Sequence, residues 1–570
     1  MGKRKSSQTA ASSVNPLADA RKAKQSSIDN NDPESKKQKV VPLSKADLKA
    51  KELWHRKSGA GYHLFVEYYG NQSKGIVYDD CDLKELEDQN SRSNRPMKQG
   101  NGMSRAAKRR KKKNPVMGKE AIVDTEDVVS VIENKRSLDN RISPKLQAAL
   151  VDKPECKHIS SMLSSMSIAL PLTLRIRHPS FLSQDLKSKA KLIIDELNEK
   201  HSDLVCPVGY DASKNTIYQA AQGSGLSKFS LGKMSPELKA LIVQATASGI
   251  IARQELGSML PVIALAGIEQ MQYGTKCLDM CASPGSKTLQ ALEIVASSPV
   301  QPPLKKQGRI VANDIHPLRL DSLKDAIERS SVSSSLTERI KYTNHDASKF
   351  PTPKSGSRFD CVIADVPCSG DGTIRKDPHI LPGWIPSISN SLHELQLNIL
   401  KRSLKLLKLN GVVAYSTCSM NPIEDEAVVA AALAWGNRFE KGSVELVDWP
   451  EKALPGFIRR PGVEAWRVAN YHWGDDESSK DNTKDDRGDV EDAPRLQWYN
   501  SYEEAVEDNV PHVCQSFWPP NADVVVDMKL EKCTRLLPQD NDTGGFFVAL
   551  LRKNREVRIV KTPSELQSKH

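Results

Sequence analysis

The sequence predicts an α/β fold: a parallel, doubly wound sheet within 251–555, a small α/β region at 168–250 before it, and disordered basic segments at the N-terminal end. Three observations carry that reading. Strand-like runs at 277–280, 309–313, 340–344, 359–364 and 412–416 alternate with helical stretches, the pattern of a parallel sheet with helices on both faces. A run of small residues, Cys281 to Lys287, stands where the first of these strands gives way to a helix. Two cysteines, Cys368 and Cys418, follow the last two strand-like runs, at the sheet end where open α/β folds bind ligands.

Residues 1–55 are rich in Ser, Lys, Asn and Asp and carry no periodic apolar face, so disorder is expected. The opening Met1-Gly2-Lys3-Arg4-Lys5-Ser6 fits a myristoylation pattern formally, but its basic residues favour an address signal. Residues 56–167 form a partly disordered region with an aromatic cluster, Phe65, Tyr68 and Tyr69, spaced as on a helix. The same region holds a basic run at 105–113, Arg105 to Lys113, which cannot bury itself. It reads as a nuclear address or a phosphate-contacting arm, against a solvated linker as the bland alternative. A second cluster, Lys36, Lys37 and Lys39, favours the functional readings.

Order is expected from 168 onward. Residues 170–176 read as a strand, 184–199 as a helix with Leu186, Ala190, Ile193, Ile194 and Leu197 apolar, and 216–220 as a short strand. This β-α-β pattern suits a small RNA-binding-type sheet and equally a generic α/β appendage. The helix before the Cys418 strand is expected from His393 to Leu407, with Leu395, Ile399, Leu400, Leu404 and Leu407 on its apolar side and Gly411 just past its end. Residues 475–492 read as an acidic surface loop, 545–551 as a closing strand, and 556–570 as a tail.

At 570 residues the chain has room for two or three folded units. Its net charge of +11 is unevenly spread. Residues 1–120 hold 27 Lys and Arg against 14 Asp and Glu, a net of +13 that leaves −2 for the remainder. A polyanion-attracting or address-carrying arm therefore joins a near-neutral body, which suggests nuclear or nucleolar residence. The ten cysteines form no Cys-x-x-Cys pair, and Cys277 and Cys281 lie outside any His or Cys cluster, so no metal is expected. No run of about 18 apolar residues and no hydrophobic leader is present, so a soluble, reduced, intracellular protein without a membrane partner is expected, and a monomer.

The first sheet strand ends in Leu278-Asp279-Met280 and runs into Cys281-Ala282-Ser283-Pro284-Gly285-Ser286-Lys287. Small residues and a Gly at such a turn let the backbone approach a ligand whose polar groups meet helix N-terminal amides. The turn is neither Gly-x-Gly-x-x-Gly nor a phosphate loop, which disfavours dinucleotides and nucleoside triphosphates. Asp314 ends the second strand, where an acid takes ribose hydroxyls; Asp346 ends the third, within reach of an adenine. A single Asp after a strand is more often a helix cap. Three such acids (Asp365 is the next) beside a small-residue loop favour a nucleoside cofactor. S-adenosylmethionine fits best, because no redox or phosphoryl-transfer signature accompanies them.

Three motifs then resemble one family. Cys281 to Lys287, Asp365-Val366-Pro367-Cys368-Ser369-Gly370-Asp371-Gly372-Thr373 and Ser416-Thr417-Cys418-Ser419 are similar to those of NOP/Sun-type RNA cytosine-5 methyltransferases. The extension through Arg375 and Lys376, Arg253-Gln254-Glu255 with Ser258-Met259, and Thr543-Gly544-Gly545-Phe546-Phe547-Val548 resemble the eukaryotic tRNA-modifying branch. The resemblance implies a Rossmann-like, S-adenosylmethionine-dependent methyltransferase sheet with 281–287, Asp314, Asp346 and Asp365 at the cofactor or substrate. It implies Cys418 as nucleophile, Cys368 as the thiol that assists release, and RNA, most of all tRNA, as partner. Ser283 stands where the family usually has Ala, Asp377 where the branch often has Asn, and the stretch at 85–150 is an unusual insertion.

The chemistry explains the need for two thiols. Carbon 5 of cytosine is a weak nucleophile, and thiolate addition at carbon 6 makes it enamine-like. A free Cys, with pKa about 8.5, must be helped to its thiolate. Asp365 is expected to hydrogen-bond the ring nitrogen or amino group of the base, which must leave its stack to reach the pocket. The bland alternative, two buried structural thiols, suits Cys361 within its strand. A catalytically silent RNA-binding scaffold, methylation of ribosomal or messenger RNA, and methylation of a protein side chain are the competing functions.

Overall fold

The computed structural model describes residues 60–72, 145, 147–149, 159–177, 182–208, 217–296, 308–330, 334–353, 357–472 and 495–557. The tail at 1–55 with its lysine cluster, the basic run at 105–113, the acidic stretch at 475–492 and residues 558–570 lie outside the described residues. The aromatic cluster does form a helix, α1 (Gly61–Gly70). Phe65, Tyr68 and Tyr69 are fully buried, with ring centroids 5.2, 5.3 and 5.9 Å from that of Trp384. Aromatic pairs at such distances add to simple burial, and α1 thus packs into the main hydrophobic core. Helix α2 (Ser160–Met166) adds Met162, Leu163 and Met166 to the same core.

The small α/β region comprises β1 (Thr173–Ile176), α3 (Gln184–Lys200), β2 (Val205–Pro207), β3 (Ile217–Ala220), α4 (Pro236–Ala247) and β4 (Ile251–Arg253). Its strands run in the order β2-β3-β1-β4, all pairs antiparallel. Ser183 caps α3 by accepting from the Leu186 amide at 3.3 Å. Ala190 and Leu197 of that helix cover the sheet. Buried arginines fasten this unit to the main body of the chain. Arg175 grips Glu293 through two contacts of 2.5 and 3.0 Å, and its Nε donates to Gln254 Oε1 at 3.2 Å. Arg177 donates to the Ser330 carbonyl at 2.6 Å. A buried ion pair holds only where the remaining donors are also used, as Arg175 uses them here.

Helix α5 (Leu256–Gly267) leads into the main sheet through β5 (Lys276–Asp279), α6 (Ser286–Ala296), β6 (Arg309–Asn313), α7 (Pro317–Glu328), β7 (Ile340–Thr343), β8 (Phe359–Asp365), α8 (Pro386–Leu406), β9 (Leu407–Thr417) and α9 (Glu426–Asn437). Then come β10 (Val444–Leu446), β11 (Arg460–Pro461), the separate hairpin-like pair β12 (Val468–His472) and β13 (Arg495–Tyr499), β14 (Thr534–Leu536) and β15 (Phe546–Lys553). The order across the main sheet is β11-β14-β15-β9-β8-β5-β6-β7, with β10 on β15. All five expected strands are present, and β9-β8-β5-β6-β7 are mutually parallel. The closing strand is β15, antiparallel to β9, so the whole sheet is mixed. The chain runs outward from β5 to β6 and β7, then returns to the other side of β5 as β8. That reversal is the switch point at which doubly wound sheets open a ligand crevice.

Helix α8 departs from expectation in three respects. It begins at Pro386 rather than His393, because Pro is well suited to a first helical position. Leu395 is exposed, while Gln396, Ile399, Leu400, Ser403 and Leu404 face inward. Gly411 is no helix cap: β9 starts directly at Leu407, and Gly411 lies inside the strand where a Cβ would come within 2.9 Å of the Asp360 carbonyl oxygen.

His393 is wholly buried, with Nδ1 2.6 Å from the Ile423 carbonyl oxygen and Nε2 2.7 Å from Ser516 Oγ. Burial lowers its pKa to about 4. Between the unfolded value of about 6.5 and this one, only the unfolded chain takes the proton, so stability present above pH 6.5 is lost as pH falls toward 4. The loss amounts to roughly 3 kcal/mol. The buried acids Asp279 and Asp371, both raised, act in the opposite sense, so the measurement is a difference. Wild type should lose stability relative to His393→Gln on acidification; parallel stability curves would contradict this.

Candidate active site

Asn313 levels the three strand ends that frame the crevice. Its Nδ2 donates to the Met280 and His345 carbonyls at 3.0 and 2.9 Å, and its Oδ1 accepts from the His345 amide and Thr343 Oγ1, both at 3.0 Å. The turn of Cys281, Ala282, Ser283, Pro284, Gly285 and Ser286 rests on this frame through the Ala282 amide, 2.8 Å from the Asn313 carbonyl. Gly285 has φ +108°, and a Cβ there would stand 2.5 Å from Leu323 Cδ1, so only glycine keeps the turn open. Asp279, at the end of β5, is buried; burial raises its pKa to about 7. Its Oδ2 accepts from Thr288 Oγ1 at 2.7 Å, while Oδ1 meets no hydrogen-bond partner among the described residues. A buried carboxylate oxygen left unmatched is costly, and a ligand bearing a cation or an amine would relieve it. Burial, then Asp279, holds the Cys281 thiol protonated.

The acids expected at the strand ends behave differently. Asp314 is buried; its Oδ2 accepts from the Ser283 amide at 3.3 Å and Oδ1 from the His316 amide at 3.0 Å. Arg319 Nη2 lies 3.4 Å from Oδ2, so of about four acceptor positions on the carboxylate one remains for a ligand hydroxyl. Asp346 caps the turn Ala347–Lys349: its Oδ1 accepts from the Ser348 hydroxyl and amide at 2.7 and 2.9 Å, bonds that lower its pKa. The cap uses Oδ1 and leaves Oδ2 partly exposed, 3.6 Å from Lys349 Nζ. Asp365 is tied to β9 by Ser416 Oγ at 2.7 Å and to Lys287 Nζ at 2.7 Å. Lys287, expected among the cofactor contacts, therefore reaches to the thiol side, with Ser258 Oγ 2.8 Å from the same nitrogen.

Cys368 and Cys418 meet. Their sulfurs are 3.2 Å apart, and the Cys418 amide donates to Cys368 Sγ at 3.3 Å. The contact with Cys418, then burial, raises the Cys368 pKa well above the ordinary thiol value. Gly372 presses its backbone between the two loops: its amide donates to the Cys418 carbonyl at 3.0 Å, and its carbonyl accepts from Gly545 at 2.7 Å. A Cβ at 372 would strike the Gly545 carbonyl. Arg375 is likewise structural, binding the Thr543 carbonyl at 2.7 Å and Asp542 at 2.6 Å. Cys361 is a buried core thiol, as read from its strand.

Several residues at this site carried no signal in the sequence. Glu424, fully buried, gathers five donors: the hydroxyls of Ser369, Ser389 and Ser419 at 2.5, 2.8 and 2.8 Å on Oε1, and the Ser369 amide and Gln396 Nε2 at 2.8 and 2.9 Å on Oε2. Asp371 lies inside the Cys368 motif without an expected role. It accepts from Tyr69 and, at 2.9 Å, from the Met420 amide. Burial, then Glu424, raises its pKa to about 6. Beneath both loops, Arg535 binds the Met420 carbonyl at 2.8 Å and Glu426 Oε1 at 2.7 Å. Among the described residues no group of His, Cys, Asp and Glu could hold a metal ion, and no helix is long and apolar enough to cross a membrane.

Residues 267–455 match the family model described as 16S rRNA methyltransferase RsmB/F. The multisite-specific tRNA:(cytosine-C(5))-methyltransferase trm4b of Schizosaccharomyces pombe is 37% identical over 348 residues, covering 56% of this chain and 45% of that protein. The tRNA (cytosine(34)-C(5))-methyltransferase of Drosophila melanogaster is 37% identical over 329 residues, covering 56% and 39%. The chain thus spans less than half the length of these curated relatives. Among solved structures, NSun6 from Pyrococcus horikoshii aligns with 73% of this chain and 99% of its own at 16% identity and a TM-score of 0.44.

Proposed function

We propose that this chain, whose residues 267–455 carry a methyltransferase domain of the RsmB/F type, methylates carbon 5 of cytosine in RNA, with tRNA as the substrate. The observation that carries the reading is the pair of thiols 3.2 Å apart beside an acid fixed from two sides. The turn at 281–286, the unmatched Asp279 oxygen and the acceptor capacity of Asp314 fit S-adenosylmethionine, which supplies the methyl group when bound.

Cys418 supplies the thiolate. Its sulfur adds to carbon 6 of the base, and the displaced electron pair makes carbon 5 nucleophilic, with charge building on the ring. Lys287 meets that charge by donating to the ring nitrogen, and its partner Asp365 accepts from the amino group of the base, in positions fixed before the base arrives. After carbon 5 is methylated, its proton must leave to a base, the ring double bond re-forms, and the carbon–sulfur bond breaks to return the Cys418 thiolate. Cys368, 3.2 Å from Cys418, is that base: its sulfur gives its own proton to solvent, takes the carbon-5 proton as a thiolate, and is a thiol again when Cys418 leaves. The target base is taken out of its stack to reach the pocket.

A monomer resident in the nucleus or nucleolus completes the proposal, the location resting on the basic run at 105–113. The test is transfer of labelled methyl to tRNA, ribosomal RNA and messenger RNA pools. Label in tRNA at carbon 5 of cytosine is the expected result. Label confined to ribosomal or messenger RNA would move the substrate, and label in no RNA would leave the silent RNA-binding scaffold.

A further inference from the structure

We propose that helix α1 belongs to the catalytic apparatus, with Tyr69 acting through Asp371 as a positioning residue that sets the Cys418 loop against Cys368. The inference rests on the two-thiol reading above and adds to it a residue some three hundred positions away in the chain. Tyr69 is fully buried and donates its hydroxyl to Asp371 Oδ2. The other oxygen of Asp371 accepts from the Met420 amide at 2.9 Å, and the next residue, Gly372, donates to the Cys418 carbonyl at 3.0 Å. Asp371 and Gly372 therefore clamp the nucleophile's loop on both sides of Ser419.

A second contact from the same helix reaches the same loop. Tyr68 donates its hydroxyl to Asn421 Oδ1 at 3.0 Å. That oxygen also accepts from the Ile423 amide at 3.0 Å, and the Asn421 amide donates to Ser419 Oγ at 3.0 Å. Two adjacent tyrosines thus spend their hydroxyls on the two side chains that shape the turn carrying Cys418. Burial of the rings explains why α1 packs where it does, against Trp384. It does not explain that pairing of hydroxyls. A buried Tyr needs one hydrogen-bond partner, and any backbone carbonyl could serve. Displacing a reacting group by about 1 Å can cost on the order of 10²-fold in rate, so a clamp on this loop acts on turnover.

Tyr69→Phe removes the hydroxyl and keeps the ring. Expected is a kcat lower by about 10- to 100-fold, with the KM for tRNA within about 3-fold of wild type. Asp371→Asn should show a similar loss. In that background Tyr69→Phe should add less than about 3-fold, because coupled residues are not additive. The rate at which iodoacetamide alkylates Cys418, followed by mass spectrometry, should change by about 3-fold or more in Tyr69→Phe, with no RNA present. An unchanged kcat, a raised KM for tRNA at constant kcat, or independent losses in the double variant would each overturn the proposal. If wild type methylates no RNA, the methyl-transfer reading falls on its own. The alkylation rate then decides this one: a Cys418 as reactive in Tyr69→Phe as in wild type overturns it.

Discussion

Cys368→Ala is expected to accumulate an RNA–protein complex that survives denaturant, and Cys418→Ala to lose turnover and complex together. In both variants methyl transfer should fall by at least about 10³-fold, since groups that act as one unit fail when either is removed. The asymmetry follows from the different steps the two sulfurs serve, attack by Cys418 and proton removal by Cys368, which lies 3.2 Å away. Without Cys368 the first addition still proceeds, but the elimination that frees Cys418 lacks its assisting thiol, so the adduct persists. Without Cys418 no carbon–sulfur bond forms. Denaturing gels with radiolabelled tRNA separate the cases. A complex formed by Cys418→Ala and not by Cys368→Ala reverses the two roles.

Much of this architecture is legible in the chain because its signals are local. Five parallel strands announce themselves as short apolar runs between helical stretches, and the thiols as polar motifs at strand ends. Gly285 needs its positive φ in a turn the sequence already marks as small. What escapes is set by contacts between distant segments. Tyr69 meets Asp371 across 302 residues, and no periodicity in a ten-residue helix says which loop will accept its hydroxyl. Asp346 shows the opposite limit: a strand-end acid has the same sequence signature whether it binds a ligand or caps a turn, and here Oδ1 takes the Ser348 hydroxyl and amide while Oδ2 stays partly exposed, 3.6 Å from Lys349. Leu395 fits the helical stripe yet is exposed, because the inward face of α8 is partly polar, with Ser389, His393, Gln396 and Ser403 all buried.

Ser389 and Gln396 of that polar face meet Glu424, and Glu424→Gln is expected to damage both fold and rate. The carboxylate accepts five hydrogen bonds on two oxygens, all at 2.9 Å or less. An amide keeps one accepting oxygen and presents an NH₂ group to donors on the other side, so at least two of the five lose their acceptor. Hydrogen bonds to a charged group contribute about 1.5–3 kcal/mol each, and a loss of about 3–5 kcal/mol in stability is expected. The rate should fall by on the order of 10²-fold, because two of the donors, Ser369 and Ser419, directly follow the thiols Cys368 and Cys418. Ser389→Ala is the control. It removes one donor from α8, remote in sequence from both cysteine loops, and should cost about 1 kcal/mol while leaving turnover within about 3-fold. Thermal unfolding and methyl transfer measured on the two variants test this directly. If Glu424→Gln and Ser389→Ala lose stability and turnover equally, the carboxylate is one polar contact among many and does not join the two loops. If Glu424→Gln loses turnover while retaining the tRNA affinity of wild type, the buried acid acts by holding Cys368 and Cys418 in register.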